Sequence, residues 1–143
     1  MRQLMLAFAL LVLVFDRVLK QWALLSPHAS TVTINPRYFF WIEIGYPFSH
    51  WVAVVFFLAA CAAVLAIWRR LDCEQRKNAS AAIILFLGGS ASNVIDRTFY
   101  GGAIDLIPLF SLSLINIADA AIVVGAAILI SMLCRRKYTQ VLS

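Results

Sequence analysis

Apolar positions in this 143-residue chain fall into four long runs, separated by shorter mixed or polar stretches. The first extends from about Leu4 to Leu25 and opens LMLAFALLVLVF. The second runs from about His50 to Trp68, and every residue from Trp51 onward is apolar. The third spans about Ala79 to Ile95, and the fourth about Leu112 to Cys134. Runs of this length suit helices that cross the hydrocarbon layer of a bilayer, about 30 Å thick. The pattern predicts an all-α integral membrane protein, one membrane domain over residues 1–143. It has four transmembrane helices, at about 4–25, 50–68, 79–95 and 112–134, and a small external β-containing segment between spans one and two.

That segment, Ser26 to Ser49, is punctuated by Pro27, Pro36 and Pro47. TVTI and YFFWIEI alternate in part and are rich in β-branched and aromatic residues, which fits short strands or a small hairpin. Tyr38, Trp41, Tyr46 and Trp51 suit a membrane interface. A small sheet resting on the outer leaflet and covering a site in the bundle is expected. Arg69 to Asn78 is expected to be the turn between spans two and three. Thr98 to Ser111 is a second external segment, with a turn at Gly101 and Gly102, a stretch AIDLI that can be extended, and Pro108 near its end.

Composition agrees with the pattern: 63% of residues are hydrophobic and 13% are charged, where a soluble domain carries about 25% charge. Arg2 before an apolar run resembles a signal peptide. The run continues through Asp16, Arg17 and Lys20 without a small-residue exit, so it reads as a retained span. The net charge of +5 does not imply nucleic acid. Arg2, Arg69, Arg70, Arg76, Lys77, Arg135, Arg136 and Lys137 sit at the two ends and in one middle loop, which the positive-inside rule assigns to the cytoplasm. Both termini are then inside. Cys61, Cys73 and Cys134 provide no disulfide framework. His28 and His50 have no clustered ligand spacing, so no metal is expected.

The candidate chemistry lies in the polar residues that interrupt the apolar runs, since ionisable groups in hydrocarbon need partners, water or a task. Asp16 and Lys20 are four apart on one helix face and can pair, while the adjacent Arg17 can snorkel outward. Asn93, Asp96 and Arg97 lie at i, i+3 and i+4. Arg97 is expected to reach another span, a loop or a lipid head group. Asn116 and Asp119 share a face near the outer end of span four. On this topology Asp16, Asp96, Asp105 and Asp119 all lie toward the outer side. Asp105 and Asp119 have no basic neighbour in sequence, so a carboxylate pair sharing one proton and acting on water is the leading reading. A polar transport path and a structural bundle remain as alternatives.

The order of motifs carries a resemblance. Asp16-x-x-x-Lys20 is followed by GGSASNVIDR (Gly88 to Arg97), by AIDLI around Asp105, and by INIAD (Ile115 to Asp119). This resembles the lipoprotein signal peptidase, or signal peptidase II, family, whose pattern is D-x-x-x-K, G-G-x-x-x-N-x-x-D-R, V-x-D-F and F-N-x-A-D on four spans. The resemblance covers nearly the whole chain. It implies that Asp105 and Asp119 are the catalytic aspartates. Asn93, Asp96, Arg97 and Asn116 are implied to shape the site, with Asp16 and Lys20 as the first-span pair. The family's N-x-G-x-x-F element is best matched by Glu43-Ile-Gly45-Tyr-Pro-Phe48, which makes Glu43 and Gly45 candidate site residues. Asn35-Pro-Arg37-x-x-Phe40 is a poorer match because it lacks the glycine. Leu106 and Ile115 stand where the family has Phe, and Leu19 replaces a polar residue. The implied activity is an intramembrane aspartic endopeptidase. Its implied partner is the signal peptide of a bacterial prolipoprotein bearing a diacylglyceryl cysteine, cut just before that cysteine on the outer side of the inner membrane. No cofactor is implied, membrane phospholipid surrounds the protein, and a monomer is expected. The alternative is a small non-enzymatic transporter or assembly factor.

Overall fold

The computed structural model describes residues 2–26, 32–38, 42–43, 48–109 and 113–141. Among these are four helices: α1 (Arg2–Leu25), α2 (Phe48–Arg70), α3 (Cys73–Tyr100) and α4 (Ile117–Val141). Helices α2, α3 and α4 are each long and apolar enough to cross a membrane. Helix α1 has 24 residues, about 36 Å of helix, but its apolar run is broken by Asp16, Arg17 and Lys20. Leu4, Phe8, Leu11, Phe15 and Trp22 point outward from α1, as Trp51, Val55 and Leu58 do from α2. Such a surface is suited to lipid and not to water.

Several helix boundaries depart from the sequence expectation. The stretch Arg69 to Asn78 is nearly all helix, and only Leu71 and Asp72 separate α2 from α3. The reason is a capping box: Asp72 Oδ1 accepts the Gln75 N–H at 2.8 Å, and Gln75 Oε1 accepts the Asp72 N–H at 3.2 Å. At its other end α3 continues past Ile95 to Tyr100 and closes on Gly101, whose φ of 77° suits glycine. Helix α4 starts at Ile117, not near Leu112, because Ser113–Ile115 form a strand and Asn116 caps the helix.

The strands are β1 (Thr33–Asn35), β2 (Arg37–Tyr38), β3 (Ile42–Glu43), β4 (Ala103–Asp105), β5 (Ile107–Leu109) and β6 (Ser113–Ile115). A hairpin does lie between α1 and α2, with β2 and β3 antiparallel and Arg37 opposite Glu43. The segment between α3 and α4, expected to hold at most one extended stretch, contains strands as well. Strand β5 pairs antiparallel with β6. Strand β1 pairs antiparallel with β4, with Thr33 opposite Asp105 and Asn35 opposite Ala103. This last pairing ties the α1–α2 connection to the α3–α4 connection.

The helices separate into an apolar end and a polar end. Val64, Leu71, Ala79, Ala82 and Leu129 form a buried cluster beside the tight α2–α3 turn. From that cluster toward the strands, α3 and α4 approach closely at small residues. A Cβ at Gly89 would lie 2.5 Å from the Ala118 carbonyl, and one at Gly125 would lie 2.7 Å from that of Ala82. Small residues permit this approach of membrane helices, and it brings Asn93 of α3 against Asp119 of α4.

Candidate active site

A network of charges lies where α1, α3 and α4 meet. Asp16, Lys20 and Asp96 are almost wholly buried. Lys20 Nζ lies 3.0 Å from Asp16 Oδ2 and 2.7 Å from Asp96 Oδ2. Arg17 turns inward, correcting the expectation that it snorkels: it pairs with Asp96 and donates to the Ser92 hydroxyl at 3.3 Å. The Ser92 hydroxyl in turn donates to Asp16 at 2.7 Å. Charges removed from water need such complete pairing. Among the described residues no buried side-chain nitrogen or oxygen lacks a hydrogen-bond partner.

Both carboxylates of this network reach onward. Asp16 Oδ1 accepts the backbone N–H of Ala118 at 2.9 Å, and Asp96 Oδ2 accepts that of Ile104 at 3.3 Å. Each of these amides belongs to the residue immediately before one of the two candidate aspartates. Lys20 bridges the two carboxylates, so a single ammonium links the backbone positions of Asp105 and Asp119.

The aspartates themselves are held by amides. Asp119 is the third residue of α4. Its Oδ1 accepts from Asn93 Nδ2 at 2.7 Å, and its Oδ2 accepts from the Asn116 N–H at 3.2 Å. Asp105, at the end of β4, is 2% exposed. Its Oδ1 accepts from Asn116 Nδ2 at 2.9 Å, and its Oδ2 from Asn35 Nδ2 at 2.8 Å. Asn116 Nδ2 also donates to Asn93 Oδ1 at 3.2 Å. A continuous chain of amides therefore runs between the two carboxyl groups. Burial pushes the Asp105 carboxyl up from 3.8 to about 6, and the nearby Asp119 adds to the rise. The amides of Asn35 and Asn116 and the Lys20 charge oppose it.

Asp105 and Asp119 line one cavity of about 490 Å³. Phe56 and Phe57 of α2, Phe86 of α3, and Ile122 and Val123 of α4 form apolar walls. Asn35, Arg37, Asn93 and Arg97 add polar groups. Arg97 donates to the backbone carbonyls of Asn35 at 3.1 Å and Arg37 at 2.9 Å, so it holds the loop between β1 and β2. An apolar cavity with a few converging polar groups suits a ligand that is mostly hydrocarbon with one reactive polar centre.

Of the residues singled out from sequence, Asp16, Lys20, Asn93, Asp96, Asp105, Asn116 and Asp119 form this connected system, with Arg97 beside it. Glu43 lies in β3 opposite Arg37, and Gly45 lies outside the described residues. Sequence reasoning missed Ser92 and Arg17 as members of the network. It also ranked Asn35 behind Glu43, although the Asn-Pro pair was a visible turn signal. Among the described residues no cluster of His, Cys, Asp or Glu has the form of a metal site.

A family model described as signal peptidase (SPase) II matches residues 8–135. The lipoprotein signal peptidase of Polynucleobacter necessarius subsp. necessarius (strain STIR1) is 34% identical, across 87% of this chain and 85% of its own length. That of Syntrophomonas wolfei subsp. wolfei (strain DSM 2245B / Goettingen) is 33% identical, across 85% of this chain and 86% of its own. A solved bacterial membrane enzyme, determined by the in meso method at 2.3 Å, superimposes with a TM-score of 0.65. It covers 96% of this chain and 91% of its own at 22% identity, a likeness of fold.

Proposed function

The chain belongs to the signal peptidase II family, and from that premise we propose that it is an aspartic endopeptidase with Asp105 and Asp119 as its catalytic dyad. As a family member it removes signal peptides from prolipoproteins and is a bacterial membrane protein. The observation that carries the proposal is the amide chain joining Asp105 to Asp119 at the wall of an apolar cavity.

In the resting site the two carboxyl groups share one proton, as close carboxylates do. Asp105, buried where Asp119 is half-buried, is the one placed to carry it. Asp119 takes a proton from a bound water, and the water oxygen bonds to the scissile carbonyl carbon. The Asp105 proton passes to the carbonyl oxygen, so no full negative charge builds there. Collapse of the tetrahedral intermediate breaks the C–N bond. The proton on Asp119 goes to the leaving nitrogen, and a hydroxyl proton of the intermediate returns to Asp105. Asn93 and Asn116 hold the carboxyl groups, while Asp16, Lys20 and Asp96 position the backbone that carries them. Arg97 keeps its charge throughout and moves no proton.

On this reading the bond cut precedes a diacylglyceryl-modified cysteine. The apolar cavity wall suits its acyl chains and the apolar signal helix. The protein works as one membrane domain and as a monomer among phospholipids. It has four spans in the inner membrane, both termini cytoplasmic and the dyad toward the outside. Cys73 and Cys134 are exposed near the inward basic residues. A membrane-impermeant maleimide should label them in inverted vesicles and leave them unlabelled in intact spheroplasts; labelling in spheroplasts contradicts the orientation. Confinement of the charged network to the strand end of the helices supports an outward site over a conduit, so a non-enzymatic transporter or assembly factor is not favoured. Cleavage of a diacylglyceryl-cysteine substrate by purified protein tests the activity.

A further inference from the structure

Asn35 stands only in the poorer match to the N-x-G-x-x-F element, yet its side-chain oxygen and nitrogen and its backbone carbonyl are all engaged at the site. Its side-chain oxygen accepts the Arg37 N–H at 3.0 Å, and its side-chain nitrogen donates to Asp105 Oδ2 at 2.8 Å. The backbone N–H of Arg37 can only donate, so it fixes the amide with its nitrogen toward Asp105. Its own carbonyl accepts from Arg97 Nη1 at 3.1 Å.

The local sequence prepares this arrangement. A residue before proline is driven to an extended backbone, so Asn35-Pro36 ends β1 without letting it coil. An Asn side chain that accepts from the N–H two residues on makes the turn that follows. The β1–β4 register sets Asn35 opposite Ala103, two residues from Asp105 on the same face of the strand. That is the diagonal distance at which side chains across a strand pair meet. Gly102 makes room for the approach, since a Cβ there would lie 2.7 Å from the Asn35 carbonyl oxygen.

We propose that Asn35 is a positioning residue for Asp105, its locked amide fixing the carboxyl so that the proton Asp105 carries faces the cavity and the scissile carbonyl. The proposal rests on the dyad reading. Asn116 holds Oδ1 and Asn35 holds Oδ2. With one donor on each oxygen, the carboxyl plane cannot rotate. Without Asn35 the group is anchored at one oxygen only, and its proton has several orientations.

The charged groups around Asp105 are Lys20 of α1, Asp96 and Arg97 of α3, Arg37 of β2 and Asp119 of α4. Substituting Asn35 leaves all of them in place. The donor it loses favours ionised Asp105, so its removal lets Asp105 keep its proton to higher pH.

The test measures kcat, KM and the pH profile of cleavage of a diacylglyceryl-cysteine substrate, with thermal unfolding in detergent, for Asn35→Ala and the isosteric Asn35→Leu, neither of which adds a charge. In whichever variant unfolds within a few degrees of wild type, kcat should fall at least about tenfold with KM little changed. The alkaline limb should move up by about one pH unit, the size expected for one lost hydrogen bond to a charged group. An unmoved limb, or a rise in KM alone, overturns the proposal. So does failure of both variants to fold, which would make Asn35 a structural residue. Failure of the dyad reading is separately visible, because wild type would then not cleave or Asp105→Asn would.

Discussion

Asn116 and Asp119 cap each other across the first turn of α4. The Asn116 side-chain oxygen accepts the Asp119 N–H at 2.9 Å, while Asp119 Oδ2 accepts the Asn116 N–H at 3.2 Å. This is the reciprocal arrangement of a capping box, with an aspartate of the proposed dyad as its third residue. The device that starts the helix therefore also orients the carboxylate, and Asp119 sits at the positive end of the helix dipole.

The double duty of Asn116 can be separated by substitution. Serine is a good N-cap and alanine a poor one, so Asn116→Ser should be about 1 kcal/mol more stable than Asn116→Ala. Both lack the amide nitrogen that reaches Asp105 and Asn93, and both should lose at least about tenfold in kcat. Thermal unfolding and cleavage of one preparation check this. A fully active Asn116→Ser protein would show that only the cap matters.

The buried charges should behave as a unit. Asp96→Asn leaves Lys20 and Arg17 facing one fewer carboxylate, and a broken buried pair costs about 3–5 kcal/mol. Lys20→Met in the same chain removes one stranded charge. The double variant should then be less destabilised than the sum of the two single ones, as for residues in one network. Unfolding of the four proteins in detergent measures the coupling, and additive losses would contradict it.

Much of this network was legible in the sequence. Asp16 and Lys20 are one helical turn apart, and their pairing follows from that spacing. The placing of Asn93, Asp96 and Arg97 on one side of α3 follows in the same way. The destination of Arg17 was not legible, since its adjacency to Asp16 says nothing of the α3 carboxylate that meets it. The β1–β4 pairing joins residues about 70 apart, and no local pattern encodes it. Asn35 was therefore outranked by Glu43, whose neighbour Gly45 fits a linear motif. The start of α4 was misplaced because SLSLINI is apolar enough to extend a helix, although its alternation already suited a strand. The capping box at Asp72 and Gln75 was readable, but the surrounding charges suggested a loop.

Burial of Asp105 predicts a pH dependence of stability. Its carboxyl is raised from 3.8 to about 6 on folding, so the folded state binds the proton more tightly than the unfolded one. The resulting stabilisation is fully present below pH 3.8 and is lost as pH rises through about 6. Asp105→Asn cannot ionise and should lack this loss. Relative to wild type, the variant should gain in unfolding temperature between pH 5 and pH 7.5. An unchanged difference across that range would contradict the raised carboxyl.

The central claim is that Asp105 and Asp119 together perform the cleavage. The direct measurement is release of the signal peptide from a diacylglyceryl-cysteine prolipoprotein by purified Asp105→Asn and Asp119→Asn proteins whose unfolding in detergent matches that of wild type. The account predicts no cleavage above background by either variant, with wild type active, because an amide can neither take the proton of water nor supply a carboxyl proton. Near wild-type cleavage by either folded variant would contradict it.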